Sequence, residues 1–98
     1  MSALVLGECE ACGARMFPVP LWCHVCGSDR IGEVTETSGT VTETTIVRHA
    51  AGRPLAPIRI ATVHLTGGGV VIARLDAAGG EGDRVEISVE DGAPVARP

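Results

Sequence analysis

From Ile31 onward, apolar and polar positions alternate in short runs rich in Thr, Val and Ile, which Gly and Pro interrupt, and no stretch carries a helical period. The alternation is cleanest over Arg84 to Glu90, where Val85, Ile87 and Val89 point one way and Arg84, Glu86, Ser88 and Glu90 the other. Glu33 to His49 reads as one long strand, broken or bent at Gly39, because a glycine inside a strand commonly marks a bulge. Ala50 to Pro57 is predicted as a loop. Ile58 to Thr66 and Val70 to Leu75 flank Gly67, Gly68 and Gly69, which predicts a hairpin with an all-glycine turn. A second loop over Asp76 to Gly82 comes next, and Asp91-Gly92 turns the chain into a short last segment around Val95. The class is all-β. A long bent strand, a hairpin and two further strands predict a five-stranded OB-like barrel, with an SH3-like barrel as the nearest competitor. Closure would protect the sheet edges, and the bend at Gly39 is where one strand is expected to serve both sheets.

The residues ahead of Ile31 have a different character. All four cysteines lie there, as Cys9-x2-Cys12-Gly13 and Cys23-x2-Cys26-Gly27 with ten residues between the pairs. Each Cys-x2-Cys-Gly makes a tight knuckle whose two sulfurs point at one ion, with glycine where the chain needs positive φ. Two knuckles make a tetrahedral cage of four thiolates. Such a cage fills the coordination sphere of Zn2+ and leaves no position for water or substrate, so the ion is expected to be structural. Iron in a rubredoxin-like site uses the same knuckles, and zinc is favoured over it. A pair of disulfides would need an oxidising compartment, and no leader-like segment precedes Cys9, so a cytoplasmic chain with reduced thiols is expected. The domain reading is a rubredoxin-like zinc ribbon over residues 1–30 and an OB-fold barrel over 31–98.

Composition narrows the function classes. With 98 residues and 45% apolar content the chain has room for one globular unit, or two very small modules packed together. The mean hydropathy is +0.27, and no apolar run approaches the roughly 18 residues of a membrane span. Zinc ribbons and OB folds both bind nucleic acid, which makes single-strand binding the rival reading. The residues argue against it: from Ile31 to Pro98 there is no Phe, Trp or Tyr to stack on a base, and six arginines face nine acidic residues. An independent enzyme is a third class. His24, His49 and His64 are the only histidines, and no nucleophile elbow, HExxH pattern or phosphate loop accompanies them.

Taken in order, the motifs resemble the acyl-CoA-associated zinc-ribbon/OB-fold proteins, once catalogued as a domain of unknown function. The matching features are Cys9-Glu-Ala-Cys12-Gly13, the aromatic-Pro step Phe17-Pro18, Cys23-His-Val-Cys26-Gly27-Ser28, and Ser38-Gly39-Thr40-Val41 opening a Thr/Val strand. Pro57 then leads a strand that ends at Leu65 before the glycine turn, and Gly82 precedes Val85. The resemblance implies a non-catalytic accessory subunit of an acyl-CoA-processing complex, which bridges or completes the active site of a thiolase-fold enzyme (thiolase, acyltransferase or aldolase) or of a hydratase. Chemistry would lie with the partner, because all four cysteines of this chain are committed to metal.

Two further groups of residues are candidates for contacts. Arg48, His49 and Arg53 bracket the first barrel loop, where OB folds often meet ligands, and arginine grips phosphate oxygens in a bidentate way; they are candidates for a CoA phosphate. Phe17 and Trp22 lie in the only aromatic-containing stretch, between the knuckles, and are candidates for a partner interface, with packing against the barrel as the competing role.

Overall fold

The computed structural model describes residues 2–50, 53–76 and 79–98, and of 48–50 and 53–56 it describes the backbone. Eight strands succeed one another: β1 (Leu4–Cys9), β2 (Arg15–Met16), β3 (Ile31–Glu36), β4 (Ser38–Ala50), β5 (Arg53–Leu65), β6 (Val70–Leu75), β7 (Arg84–Glu90) and β8 (Ala93–Arg97). They form two sheets. One is three-stranded in the order β2-β1-β3, and the other is a closed barrel in the order β4-β5-β6-β8-β7. The barrel neighbours are antiparallel except β6 and β8, which run parallel with Arg74 opposite Val95. Five strands closed in this order make the OB architecture expected from the pattern.

Period-two alternation explains the barrel core. On β5, Ala61, Val63 and Leu65 are buried, and on β7 Val85 and Ile87 are buried. Val89, the third member of that alternation, is half-buried and packs against the core from its margin. Leu4 and Leu6 of β1 are fully buried in the same cluster, so the small sheet and the barrel share one continuous core. A ribbon of this size has too little apolar surface to form a core of its own, and inserting two leucines into the barrel solves that shortage.

Two expectations need correction. The long strand over Glu33 to His49 is two strands that meet at Thr37: β3 pairs with β1 over its whole length, whereas β4 pairs with β5 and β7. Thr37 is pinned between them by its carbonyl, which accepts the amide of Ile87 at 2.8 Å. The register shifts on β4 fall between Val41 and Glu43 and between Val47 and His49, not at Gly39. Gly39 is instead the residue that pairs with both Leu65 and Val85, so β4 does serve both halves of the barrel there.

The second correction concerns the loop over Ala50 to Pro57. Ala50 ends β4 and Arg53 opens β5, with His49 opposite Pro54 and Ala50 opposite Arg53. Pro54 and Pro57 look like strand breakers in the sequence. Proline removes a donor but holds φ in a range that extended backbone tolerates, and the register shift beside His49 accommodates the missing bonds. The glycine-turn hairpin, in contrast, is as expected: Leu65 N–H bonds to Gly69 O at 2.9 Å and Gly68 N–H to Leu65 O at 3.0 Å.

Candidate metal centre

Each knuckle is built by the same local bonds. Cys9 ends β1, and the turn from β1 to β2 is the first knuckle, with Gly13 N–H bonding to Cys9 O at 2.9 Å and Cys9 N–H to Ala14 O at 2.9 Å. In the second, Gly27 N–H bonds to Cys23 O at 2.9 Å and Cys23 N–H to Ser28 O at 2.7 Å. Gly13 and Gly27 both have φ of 80°, the left-handed conformation that lets the chain leave the knuckle without strain.

The four sulfurs converge. All lie within 4.8 Å of one another, with Cys9 Sγ 3.5 Å from Cys26 Sγ and Cys12 Sγ 3.6 Å from Cys23 Sγ. A Zn–S bond of about 2.3 Å gives a tetrahedral edge of roughly 3.8 Å, so the donor set fits one such ion. Sulfurs at these separations are not disulfide-bonded, and all four cysteines are free. Cys9 and Cys23 are buried, and Cys12 and Cys26 are exposed.

The backbone prepares the inner pair as thiolates. Cys12 N–H points at Cys9 Sγ (3.4 Å), and the amides of Val25 and Cys26 point at Cys23 Sγ (3.3 and 3.4 Å). The amide of Cys12 accordingly brings the Cys9 thiol down to about 6, and the amide of Cys26 lowers that of Cys23. Cys12 behaves oppositely. The amide of Ala14 favours its thiolate, yet the sulfur of Cys23 beside it and its desolvation push it up to about 12. Four sulfurs so close cannot all carry charge without a cation between them, which is a physical sign that the cage is made for one. With four sulfur ligands an ion here has no open position, and the centre can hold the fold but cannot polarise a substrate.

A groove of about 500 Å3 runs beside the centre, lined by Met16 to Trp22 with His24 from the ribbon and by Val70 from the barrel. Phe17 and Trp22 part company here. Phe17 packs against the core, while Trp22 is 57% exposed, beside Leu21 at 84% and Val25 at 75%. His24 is exposed and outside the sulfur cluster. His64 lies on the solvent side of β5, between buried Val63 and Leu65. Arg48, His49 and Arg53 fall at the far ends of β4 and β5, and their side chains lie outside the described residues.

One further group is all but invisible in the sequence. Arg15 donates from Nε to Glu8 Oε2 (2.8 Å) and from Nη1 to Glu36 Oε2 (2.8 Å) and Gly68 O (3.0 Å). Glu36 Oε1 in turn accepts the amide of Gly67 at 3.1 Å. These residues clasp the β5–β6 turn to the ribbon. The one trace in the sequence is the run of three glycines: a Cβ on Gly67 would collide with Glu36 Oε2, and one on Gly69 would lie 3.2 Å from Arg15 Cβ.

Residues 2–32 match the family described as "ChsH2, rubredoxin-like zinc ribbon domain". Over 98% of its length the chain is similar to the Ltp2-ChsH2(DUF35) aldolase, covering 84% of the matched chain with a TM-score of 0.74 and 25% identity. It shares its fold with a DUF35-family protein of unknown function from Sulfolobus solfataricus, at a TM-score of 0.65 and 20% identity, over 97% of this chain and 75% of that one. No curated protein matches the sequence.

Proposed function

We propose that the chain is a zinc-ribbon/OB-fold protein of the DUF35 kind and serves as a non-catalytic accessory subunit of an acyl-CoA-processing complex, which bridges or completes the active site of a thiolase-fold partner. The observation that supports this most is the likeness of nearly the whole chain to a component of an aldolase named for two proteins. The chemistry of the site agrees with it. The four cysteines converge on one another, so none is spare as a nucleophile, and a closed four-sulfur centre supplies structure and no catalysis.

The ion we assign to the cage is Zn2+, held by Cys9, Cys12, Cys23 and Cys26 in a cytoplasmic, reducing setting where thiolates persist. The division into a metal unit over 1–30 and an OB-fold unit over 31–98 goes with this reading, with β3 paired to β1 of the ribbon sheet and the closed barrel itself beginning at β4. Trp22 is the anchor we assign to the partner interface, since exposed tryptophan is enriched among binding hot spots, and Phe17 lines the groove beneath it. Arg48, His49 and Arg53 are assigned to the phosphates of a partner-bound CoA.

Affinity purification of the tagged chain from its native host, with identification of the co-eluting protein and an acyl-CoA assay on the eluate, tests the proposal. Stoichiometric recovery of a thiolase-fold or hydratase enzyme whose activity falls when this chain is removed is the expected result. Recovery of nucleic acid, or of nothing, refutes it. Within such a complex Arg53→Ala is expected to weaken acyl-CoA affinity, and an unchanged Kd removes the hairpin end from the site.

A further inference from the structure

We infer that the metal centre governs the barrel's β5–β6 turn, and with it the apolar groove, through the Arg15 clasp. Four observations carry this. β2 is only Arg15–Met16, its pairing is with β1 alone, and the turn that joins the two strands is the first metal knuckle. Among the described residues, the strand pairing that places the backbone of Arg15 is therefore limited to that knuckle and two positions on β1. Arg15 binds Glu8, Glu36 and Gly68 O at once, and Glu36 passes the attachment on to the amide of Gly67. The turn also lies close against both side chains, since a Cβ on Gly67 would meet the carboxylate of Glu36 and one on Gly69 would sit 3.2 Å from Arg15 Cβ. Finally, Val70, the first residue after the turn, is the barrel's share of the groove whose other wall is Met16 to Trp22, immediately downstream of Arg15.

The two walls of the groove thus hang on one ion. With metal bound, the knuckle is closed, β2 lies along β1, and Arg15 holds the turn. When the ion leaves, the knuckle loses its cross-link, a two-residue strand cannot persist by pairing alone, and Glu36 loses its charged partner. The turn then keeps its bonds to the barrel, such as Thr66 N–H to Ser38 O at 3.0 Å. Linkage is reciprocal, so whatever seats itself in the groove also tightens the chain's hold on the ion. The inference rests on the metal reading of the four cysteines. The metal content of the purified full chain tests that reading independently of the coupling.

Amide hydrogen exchange of the full-length chain, read by NMR before and after chelation and after restoring Zn2+, tests the coupling. Gly67 and Leu65 report on the turn, and Asp76, whose amide bonds to Ala96 O at 2.9 Å, reports on the rest of the barrel. Removal of the ion is expected to speed exchange at Gly67 and Leu65 by about five- to 150-fold, the usual range of coupling between sites, with Asp76 unchanged and Zn2+ restoring the protection. In Arg15→Met, which keeps the aliphatic stem, metal content stays full while Gly67 and Leu65 exchange fast whether or not the ion is present. Glu36→Gln, placed at the opposite end of β3 from the cysteines, is expected to uncouple the turn in the same way should Arg15→Met fold poorly. Unmoved exchange at the turn after chelation overturns the inference. So does a loss of protection that includes Asp76, which would mean general unfolding, and so does a chelation response that survives in both variants.

Discussion

Arg15 Nη1 and Glu36 Oε2 lie 2.8 Å apart, joining β2 to β3 across the strand between them, with side chains only 17% and 13% exposed. An exposed pair of this kind adds little to stability, but a partly buried, charge-assisted bond that also engages Glu8 and the backbone of the β5–β6 turn fixes geometry. The ribbon and the barrel are joined at two levels, this polar clasp at the surface and Leu4 and Leu6 beneath it.

Leu6 is fully buried in the barrel cluster although it belongs to the ribbon sheet. Leu6→Ala should lower unfolding stability by about 2–5 kcal/mol, the usual cost of emptying a buried leucine site. Denaturant unfolding checks this: the barrel signal should shift together with the ribbon. A shift confined to the ribbon would show that the core is not shared.

At Gly39 an added Cβ would meet His64 O at 2.6 Å and Val63 Cγ1 at 2.6 Å. A backbone oxygen in a paired strand has nowhere to go, so Gly39→Ala should destabilise by about 1–3 kcal/mol, as overpacked cores do. Thermal melting of the metal-loaded variant measures it, and a wild-type melting temperature would mean that β4 and β5 separate more easily than their pairing suggests.

Phe17 and Trp22 should respond differently to truncation. Phe17 packs against the core, and Phe17→Ala should cost about 1–3 kcal/mol, less than a fully buried phenylalanine would. Trp22→Ala, at an exposed side chain, should leave the isolated chain folded and metal-loaded yet dissociate it from its partner, as gel filtration of the complex would reveal. Intact association with Trp22→Ala would take the residue out of the interface.

Acidification should release the ion. The Cys9 thiol lies at about 6 instead of 9.0, chiefly because the amide of Cys12 bonds to its sulfur. A lowered thiol stabilises the fold fully above its ordinary value, and that contribution is lost as pH falls through about 6. Protons compete with metal for the same sulfurs, and the ion itself holds them deprotonated, so a colorimetric chelator should detect release at a pH below this value, and a metal content that does not respond to acid would contradict a four-thiolate cage.

The four-cysteine cluster was legible in the sequence because a knuckle is a local object: two cysteines two residues apart and a glycine that accepts positive φ determine it without help from the rest of the chain. The same holds for the glycine-turn hairpin and for the alternation of Arg84 to Glu90, whose faces arise from a period of two. Strand partners are another matter. Nothing in Ile31 to Glu36 says that it belongs beside Leu4 to Cys9 and not in line with β4, since both arrangements satisfy the same alternation and only packing distinguishes them. Leu4, Val5 and Leu6 are too short a run to announce a strand, and Pro54 and Pro57 read as a loop until Pro54 is seen opposite His49 and Ile58 opposite Val47. Arg15, Glu36 and the three glycines are tens of residues apart along the chain, and their meeting depends on how the ribbon settles on the barrel. By itself, then, the sequence determined the all-β class, the four-sulfur cage and the barrel's alternation, which are matters of spacing. The tertiary structure alone decided which strands pair, where the ribbon's leucines are buried and what ties the metal centre to the barrel, because these depend on contacts between segments that local periodicity does not encode.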